Sequence, residues 1–318
     1  MRIDLHADTP LLMHWAGYRF YAQHRRWMPL GAFFGHVDLP RMAAAQMDAQ
    51  VFGLVSLPTE SDPFTTVNQM IDAVENQERE SEGAFQVVRN VAQLRRVRHH
   101  GARAVFLSVE GVHPLAGNIE RAEALVARGV VSFGMAHFHA NEACRPAKGL
   151  GRADDEGLSD FGKDLARFLG EHRRIVDLAH INRRGYFECL EHTSGPVWVS
   201  HTGASSVHAH WRNIDDAQIR AVADRGGVLG VIFARNYLGA HGIDGVIRHI
   251  QHVINVGGEE SVALGSDFDG FIVPVSGLED ISGMSGLAQA LADAGLPQRV
   301  VDGVMGRNAL AMLESWLG

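Results

Sequence analysis

The chain has only two cysteines, Cys144 and Cys189, in 318 residues. Two thiols cannot staple a protein of this length, so a secreted disulfide scaffold is excluded and both are expected to stay reduced. No run of about 18 apolar residues occurs, which removes the expectation of a membrane-spanning helix. Met1-Arg2-Ile3-Asp4-Leu5-His6 carries charge at its second and fourth positions and lacks the apolar stretch of a signal peptide. The stretch from Leu310 to Gly318 is too short for a lipid-anchor signal. Excess positive charge is missing as well, since 29 Lys and Arg stand against 37 Asp and Glu, a net charge of −8. Nucleic acid is therefore not an expected partner, because phosphate backbones need clustered cations. Internal repeats and low-complexity linkers are also lacking. A cytoplasmic globular protein is the expectation.

What is present is a large apolar fraction, 46% hydrophobic against 21% charged, enough to bury a substantial core. The 18 histidines stand out, because imidazole is the commonest metal ligand and the usual proton carrier near neutral pH. Short apolar runs recur along the chain at Arg2–His6, Val51–Leu57, Ala104–Val109, Val130–Ala136, Ile175–Ala179, Val197–Ser200, Val228–Phe233 and Val262–Gly265. They lack strict alternation, as strands of a parallel sheet covered on both faces do. Between them lie helical patterns at Thr66–Glu82, Ile119–Ala127, Phe161–Glu171, Asp215–Asp224 and Ile243–Val256. Several start at capping residues such as Ser159-Asp160 and Asp215-Asp216, and others stop at Gly129 and Gly226.

Eight strand–helix alternations predict a (β/α)8 TIM barrel, with residues 1–318 as a single domain. The alternative is a doubly wound open sheet, whose phosphate signal at Gly226-Gly227-Val228-Leu229-Gly230 opens a strand rather than following one. Residues 16 to 39 read as a long loop over the barrel mouth, with Pro29 and Gly31 in keeping.

In such a barrel the chemistry sits at the C-terminal ends of the strands. Those ends carry His6 and Asp8, then Glu110, His137, His180, His201 and Asp267. In the H-x-D pair, residues i and i+2 of a strand share a face and could converge on one ion. Each residue alone has an ordinary reading: a strand-end histidine is more often a satisfied core or loop residue, and Asp267 and Asp269 could cap a turn. Coincidence at five separate strand ends is a different matter. Three imidazoles and three carboxylates suit zinc or another borderline divalent metal. Six ligands exceed one tetrahedral shell, so two metals bridged by Glu110 would accommodate them. His99-His100, His172, His241, His249 and His252 read as solvated, while His14, His24 and His36 fall in the N-terminal loop.

Five stretches carry a resemblance to a known family: Asp4-Leu5-His6-Ala7-Asp8-Thr9-Pro10, Leu107-Ser108-Val109-Glu110-Gly111, Ile175-Val176-Asp177-Leu178-Ala179-His180, Val199-Ser200-His201-Thr202 with Arg212-Asn213, and Gly265-Ser266-Asp267-Phe268-Asp269-Gly270. In order and spacing they resemble the membrane (renal) dipeptidase family of zinc metallopeptidases within the amidohydrolase superfamily. The resemblance runs from residue 1 to about residue 317 and is weakest between residues 11 and 100. It implies a zinc-dependent dipeptidase with two zinc ions on a (β/α)8 barrel. His6 and Asp8 would hold one metal, His180 and His201 the other, with Glu110 between. By the same resemblance His137 polarises the scissile carbonyl, Arg212 holds the substrate carboxylate with help from Tyr237, and Asp267 serves the nucleophilic hydroxide that bridges the metals. A homodimer is compatible with it.

The chain departs from the family pattern in three places. Ser56-Leu57-Pro58-Thr59-Glu60 lacks the aromatic residues expected at the second strand end, His139 follows His137, and the family's disulfide cysteines have no counterparts. These departures bear on the substrate, and they keep open a binuclear hydrolase of another small amide, lactam or ester.

Overall fold

The computed structural model describes every residue except 25–29 and 58–59. Pro29, Pro58 and Thr59, which entered the sequence reading, lie outside the described residues. Nine parallel strands are present among the described residues: β1 Ile3–Ala7, β2 Ala49–Val55, β3 Phe85–Val87, β4 Arg103–Glu110, β5 Val130–Gly134, β6 Ile175–Asp177, β7 Trp198–Thr202, β8 Val228–Val231 and β9 Val262–Leu264. β1 pairs with β2 and β9, the ladder continues from β9 down to β4, and β2 closes on β4. Eight strands thus form the closed (β/α)8 barrel, as the spacing of the apolar runs predicts.

The ninth strand was not expected. β3 pairs with Arg103–Val105 of β4, while β5 takes Leu107–Glu110 on the same strand. With β2 paired along all of residues 104–110, β3 extends the lower half of the other edge and does not enter the barrel proper. Three residues, one of them buried, are too short a pattern to read as a strand.

Helices wrap the strands where the apolar periodicity places them, at Pro63–Glu80, Ile119–Ala127, Asp160–Glu171, Asp216–Ala223 and Ile243–Gly257. Their starts follow from side-chain chemistry. Ser159 accepts from the Gly162 amide at 3.0 Å, and Asp215 forms a capping box with Gln218. Gly129 and Gly226, with φ of 100° and 68°, supply the left-handed turns that end two helices. None of the described helices is long and apolar enough to cross a membrane.

β2, β5, β6, β8 and β9 end before their apolar runs do, while β1, β4 and β7 run one or two residues past theirs. β5 stops at Gly134, three residues before His137, and β6 stops at Asp177, three before His180. Past β6 and β9 the site residues adopt non-extended backbone. His180 and Asp267 have φ of 64° and 62°, a conformation few non-glycine residues take without surrounding support. His249, read as solvated, is instead fully buried on the helix Ile243–Gly257, where its Nδ1 accepts the Ala204 amide at 2.9 Å. Its neighbours in sequence gave no sign of the loop that packs on it.

Candidate metal centre

Seven side chains converge at the barrel mouth, and all are buried: His6, Asp8, Glu110, His137, His180, His201 and Asp267. Glu110, the last residue of β4, sits at the centre. Its Oε1 lies 3.1 Å from His180 Nε2, 3.4 Å from His201 Nε2, 3.6 Å from His6 Nε2 and 3.9 Å from His137 Nε2. His6 Nε2 is 3.3 Å from Asp8 Oδ1, and Asp267 Oδ1 is 3.9 Å from both His6 and His201. Three sets of potential ligands emerge: His6, Asp8 and Glu110; Glu110, His180 and His201; and His6, His201 and Asp267. Glu110 belongs to two of them.

The H-x-D pair meets as its spacing suggested. The His6 carbonyl accepts the Asp267 amide at 3.2 Å and the Asp8 amide donates to the Phe268 carbonyl at 2.8 Å, so the parallel ladder persists through Asp8 and the two side chains share a face. Asp8 also holds the N-terminal cap position of the helix Thr9–Ala16, without a side-chain capping bond. Space for the pair is made on the neighbouring strand, because a Cβ on Gly53 would stand 2.3 Å from Asp8 Oδ1 and 2.8 Å from His6 Cε1.

The chemistry of this donor set fits a divalent cation. His6 Nε2, Asp8 Oδ1 and Glu110 Oε2 are buried with no hydrogen-bond partner among the described residues. The His180 and His201 Nε2 atoms face each other at 3.0 Å. Unpaired buried acceptors and crowded carboxylates cost several kcal/mol unless a counter-charge joins them. Burial also keeps the imidazoles of His180 and His201 well below their usual pKa, which leaves them neutral, the form that ligates. Burial, joined by the Glu110 charge, pushes Asp8 up to about 7, and it raises Asp267 well above the ordinary carboxylate range. A cation between these groups would reverse that penalty.

Arg212 flanks the cluster and is 3% exposed. Its Nη2 donates to the His201 carbonyl at 2.7 Å, while Nε has no partner. No carboxylate among the described residues forms an ion pair with it. Tyr237 stands farther off, within electrostatic reach of Arg212, with its ring 5.7 Å from Trp211 and 4.9 Å from His210. Trp211 also meets Phe138 edge-on at 5.8 Å. A cavity of about 290 Å³ opens here, with His180, Arg212, Trp211 and Ile214 in its wall. His139 stays outside the cluster, stacked at 3.7 Å on His113, whose pKa burial lowers to about 4.

Sequence reading missed the residues that hold these groups in place. The Asp4 carboxylate, fully buried, accepts from the Ser266 amide at 2.8 Å and its hydroxyl at 2.6 Å, locking β1 to the turn that carries Asp267. Asp177 Oδ1 accepts from the Ala179 amide at 3.0 Å and the Ser200 amide at 2.9 Å, locking β6 to β7. Asp269 accepts from Thr9 Oγ1 at 2.7 Å and from the His36 amide at 2.8 Å, and its own amide donates to His36 Nδ1 at 3.0 Å. The N-terminal loop is thereby clasped to the site wall. Asp4 and Asp177 left a signal, since a charge inside an apolar strand run needs a buried partner. His36 left none.

A model of the family described as membrane dipeptidase (peptidase family M19) matches residues 1–316. An uncharacterized Klebsiella pneumoniae protein in the pqqA 5′ region is 31% identical over 80% of this chain and 97% of its own length. An uncharacterized dipeptidase of Schizosaccharomyces pombe is 28% identical over 97% of this chain and 78% of its own. Among solved structures, a Rhodobacter sphaeroides metallopeptidase liganded with a phosphinate mimic of the dipeptide L-Ala-D-Ala superposes with a TM-score of 0.88. That match covers 99% of both chains at 22% identity. A dipeptidase of family M19 gives 0.89 at 23% identity, over 100% of this chain and 98% of its own. With a family model spanning its barrel end to end, the chain belongs to the membrane dipeptidase family, peptidase family M19.

Proposed function

We propose that this metal-dependent dipeptidase binds two zinc ions and cleaves dipeptides that carry a free C-terminal carboxylate. One observation carries the reading: buried ligand sets sharing Glu110 lie beside a buried arginine that forms no ion pair among the described residues. His6 and Asp8 would hold one ion, His180 and His201 the other, and Glu110 both. Imidazole nitrogen and carboxylate oxygen together are a zinc-type donor set. When bound, the ions would polarise the scissile carbonyl and acidify a water molecule toward hydroxide near neutral pH.

The protein's own groups supply the rest. Arg212 keeps donors in reserve, Nε having no partner among the described residues, and its planar guanidinium matches the substrate carboxylate. Gripping that terminus places the adjacent amide over the cluster and disfavours longer peptides. Burial holds His137 below its usual pKa, so its neutral ring can donate one N–H to the developing oxyanion. Asp267 accepts the proton shed by the attacking water and returns it to the leaving amine. The whole chain, residues 1–318, would act as one barrel domain, and two buried free thiols accord with a cytoplasmic setting. A homodimer belongs to the same proposal.

Metal analysis combined with a panel of dipeptides, their C-terminal amides and simple lactams and esters tests it. About two zinc per chain and chelator-sensitive turnover of dipeptides are expected. Turnover of lactams or esters without dipeptides would instead select the other small-amide reading. Full activity in metal-free protein would sink both.

A further inference from the structure

Arg212 and Tyr237 approach the site from different loops, one after β7 and the other in the short helix Arg235–Leu238 after β8. A third side chain joins the two loops. The Asn213 Nδ2 group donates to the His208 carbonyl at 2.8 Å and to the Tyr237 carbonyl at 2.7 Å. A side-chain amide has two N–H bonds, and both are used here. Its orientation follows from the partners, because the flipped amide would set its oxygen against two carbonyl oxygens. Gly203 leaves room for the group, since a Cβ there would stand 2.3 Å from Asn213 Oδ1. Arg212, one residue earlier, is braced as well: its amide donates to His210 Nδ1 at 3.2 Å, and its carbonyl accepts from Thr202 Oγ1 at 3.2 Å.

We infer that Asn213 is a positioning residue for substrate binding, its amide fixing the spacing of Arg212 and Tyr237 so that guanidinium and phenol serve one substrate carboxylate. The inference rests on the carboxylate reading of Arg212 above. A two-point grip on an anion needs its donors held to within about 0.5 Å. Asn213 is joined to Arg212 by one peptide bond and holds the backbone of Tyr237 directly, so little play is left between the two. Neither of its acceptors, His208 and Tyr237, belongs to the ligand sets of the metal centre. Loss of the amide is therefore felt at the substrate terminus and not at the metals.

A second fastening keeps the loops attached without Asn213. His249 is fully buried, its Nδ1 accepts the Ala204 amide at 2.9 Å, and its Nε2 lies 3.2 Å from the Leu238 carbonyl. Variants at Asn213 should thus fold with the loops joined and only the Arg212–Tyr237 spacing released. The barrel also holds the same arrangement away from its mouth. Asn308 Nδ2 donates to the carbonyls of Glu259 and Val262 at 2.7 and 2.8 Å, at the N-terminal end of β9.

Steady-state kinetics of the full chain on a dipeptide and its C-terminal amide, with bound metal by elemental analysis and Tm, test the inference. Asn213→Asp keeps the size of the side chain but turns an oxygen toward two carbonyls, and Asn213→Ala removes the bridge. In both, the kcat/KM preference for the free acid should fall roughly 10- to 100-fold, through KM more than kcat, with metal per chain unchanged. Asn308→Asp should lower Tm and keep the preference. A preference retained in both Asn213 variants, or lost equally in Asn308→Asp, would overturn the inference. Loss of bound metal in the Asn213 variants would also overturn it, making Asn213 a support of the whole mouth. Wild-type protein with no preference for the free acid would instead overturn the carboxylate reading of Arg212.

Discussion

Replacing Arg212 by methionine keeps most of the volume of a buried side chain and removes its charge. The guanidinium is 3% exposed, with Nη2 already given to the His201 carbonyl and Nε unpaired. A substrate carboxylate would therefore meet a desolvated cation with donors in reserve, the setting in which charge-assisted bonds are strongest. Truncating one member of such a buried pair costs about 2–5 kcal/mol. At 1.36 kcal/mol per factor of ten, that is roughly a 30- to 5,000-fold loss in kcat/KM. The assay crosses protein with substrate: wild type and Arg212→Met, each on a dipeptide and on its C-terminal amide. Wild type should favour the free acid by a factor in that range, and the variant should treat the two alike. Stability should change little, since removing a buried cation that has no ion-pair partner among the described residues relieves desolvation while one bond to His201 is lost. An equal loss on acid and amide would refute the assignment, because Arg212 would then be supporting the His201 strand end and not reading a carboxylate.

Two further outcomes follow from the packing. Gly53→Ala puts a methyl 2.3 Å from Asp8 Oδ1 and 2.8 Å from His6 Cε1, so the variant should fold yet retain close to one metal per chain, read by elemental analysis. Burial holds His249 neutral and brings it down to about 4, against about 6.5 for an unfolded histidine. Because the unfolded chain takes up this proton first, stability from the neutral ring is complete above pH 6.5 and drains away as pH falls toward 4. Urea unfolding of wild type and His249→Gln should show their stability gap shrinking by up to about 3 kcal/mol across that window. A gap independent of pH would remove His249 as the titrating group.

The barrel was legible because parallel strands buried on both faces write themselves as apolar runs, and helices on one face as a 3.6-residue period. The site was legible where a polar residue ends such a run: Glu110, His180, His201 and Asp267 all stand at that break. What stayed hidden depends on contacts distant in sequence. β3 is a strand only because the lower edge of β4 is open to it. His249 reads as a surface residue until the loop at Ala204 is placed over it. His36 reads as loop until Asp269, 233 positions later, accepts its amide.

The sequence by itself therefore determined the architecture, the residues that converge at the barrel mouth and the kind of chemistry they suit, because periodicity and residue type are local properties. Tertiary structure alone decided how those residues meet. It held His180 and Asp267 in left-handed backbone. It also set the Ser200 hydroxyl 2.8 Å from His201 Nδ1, while His6 Nδ1 has no hydrogen-bond partner among the described residues. Those choices are made by packing between strands that the chain reaches only after many residues, and no local pattern records them.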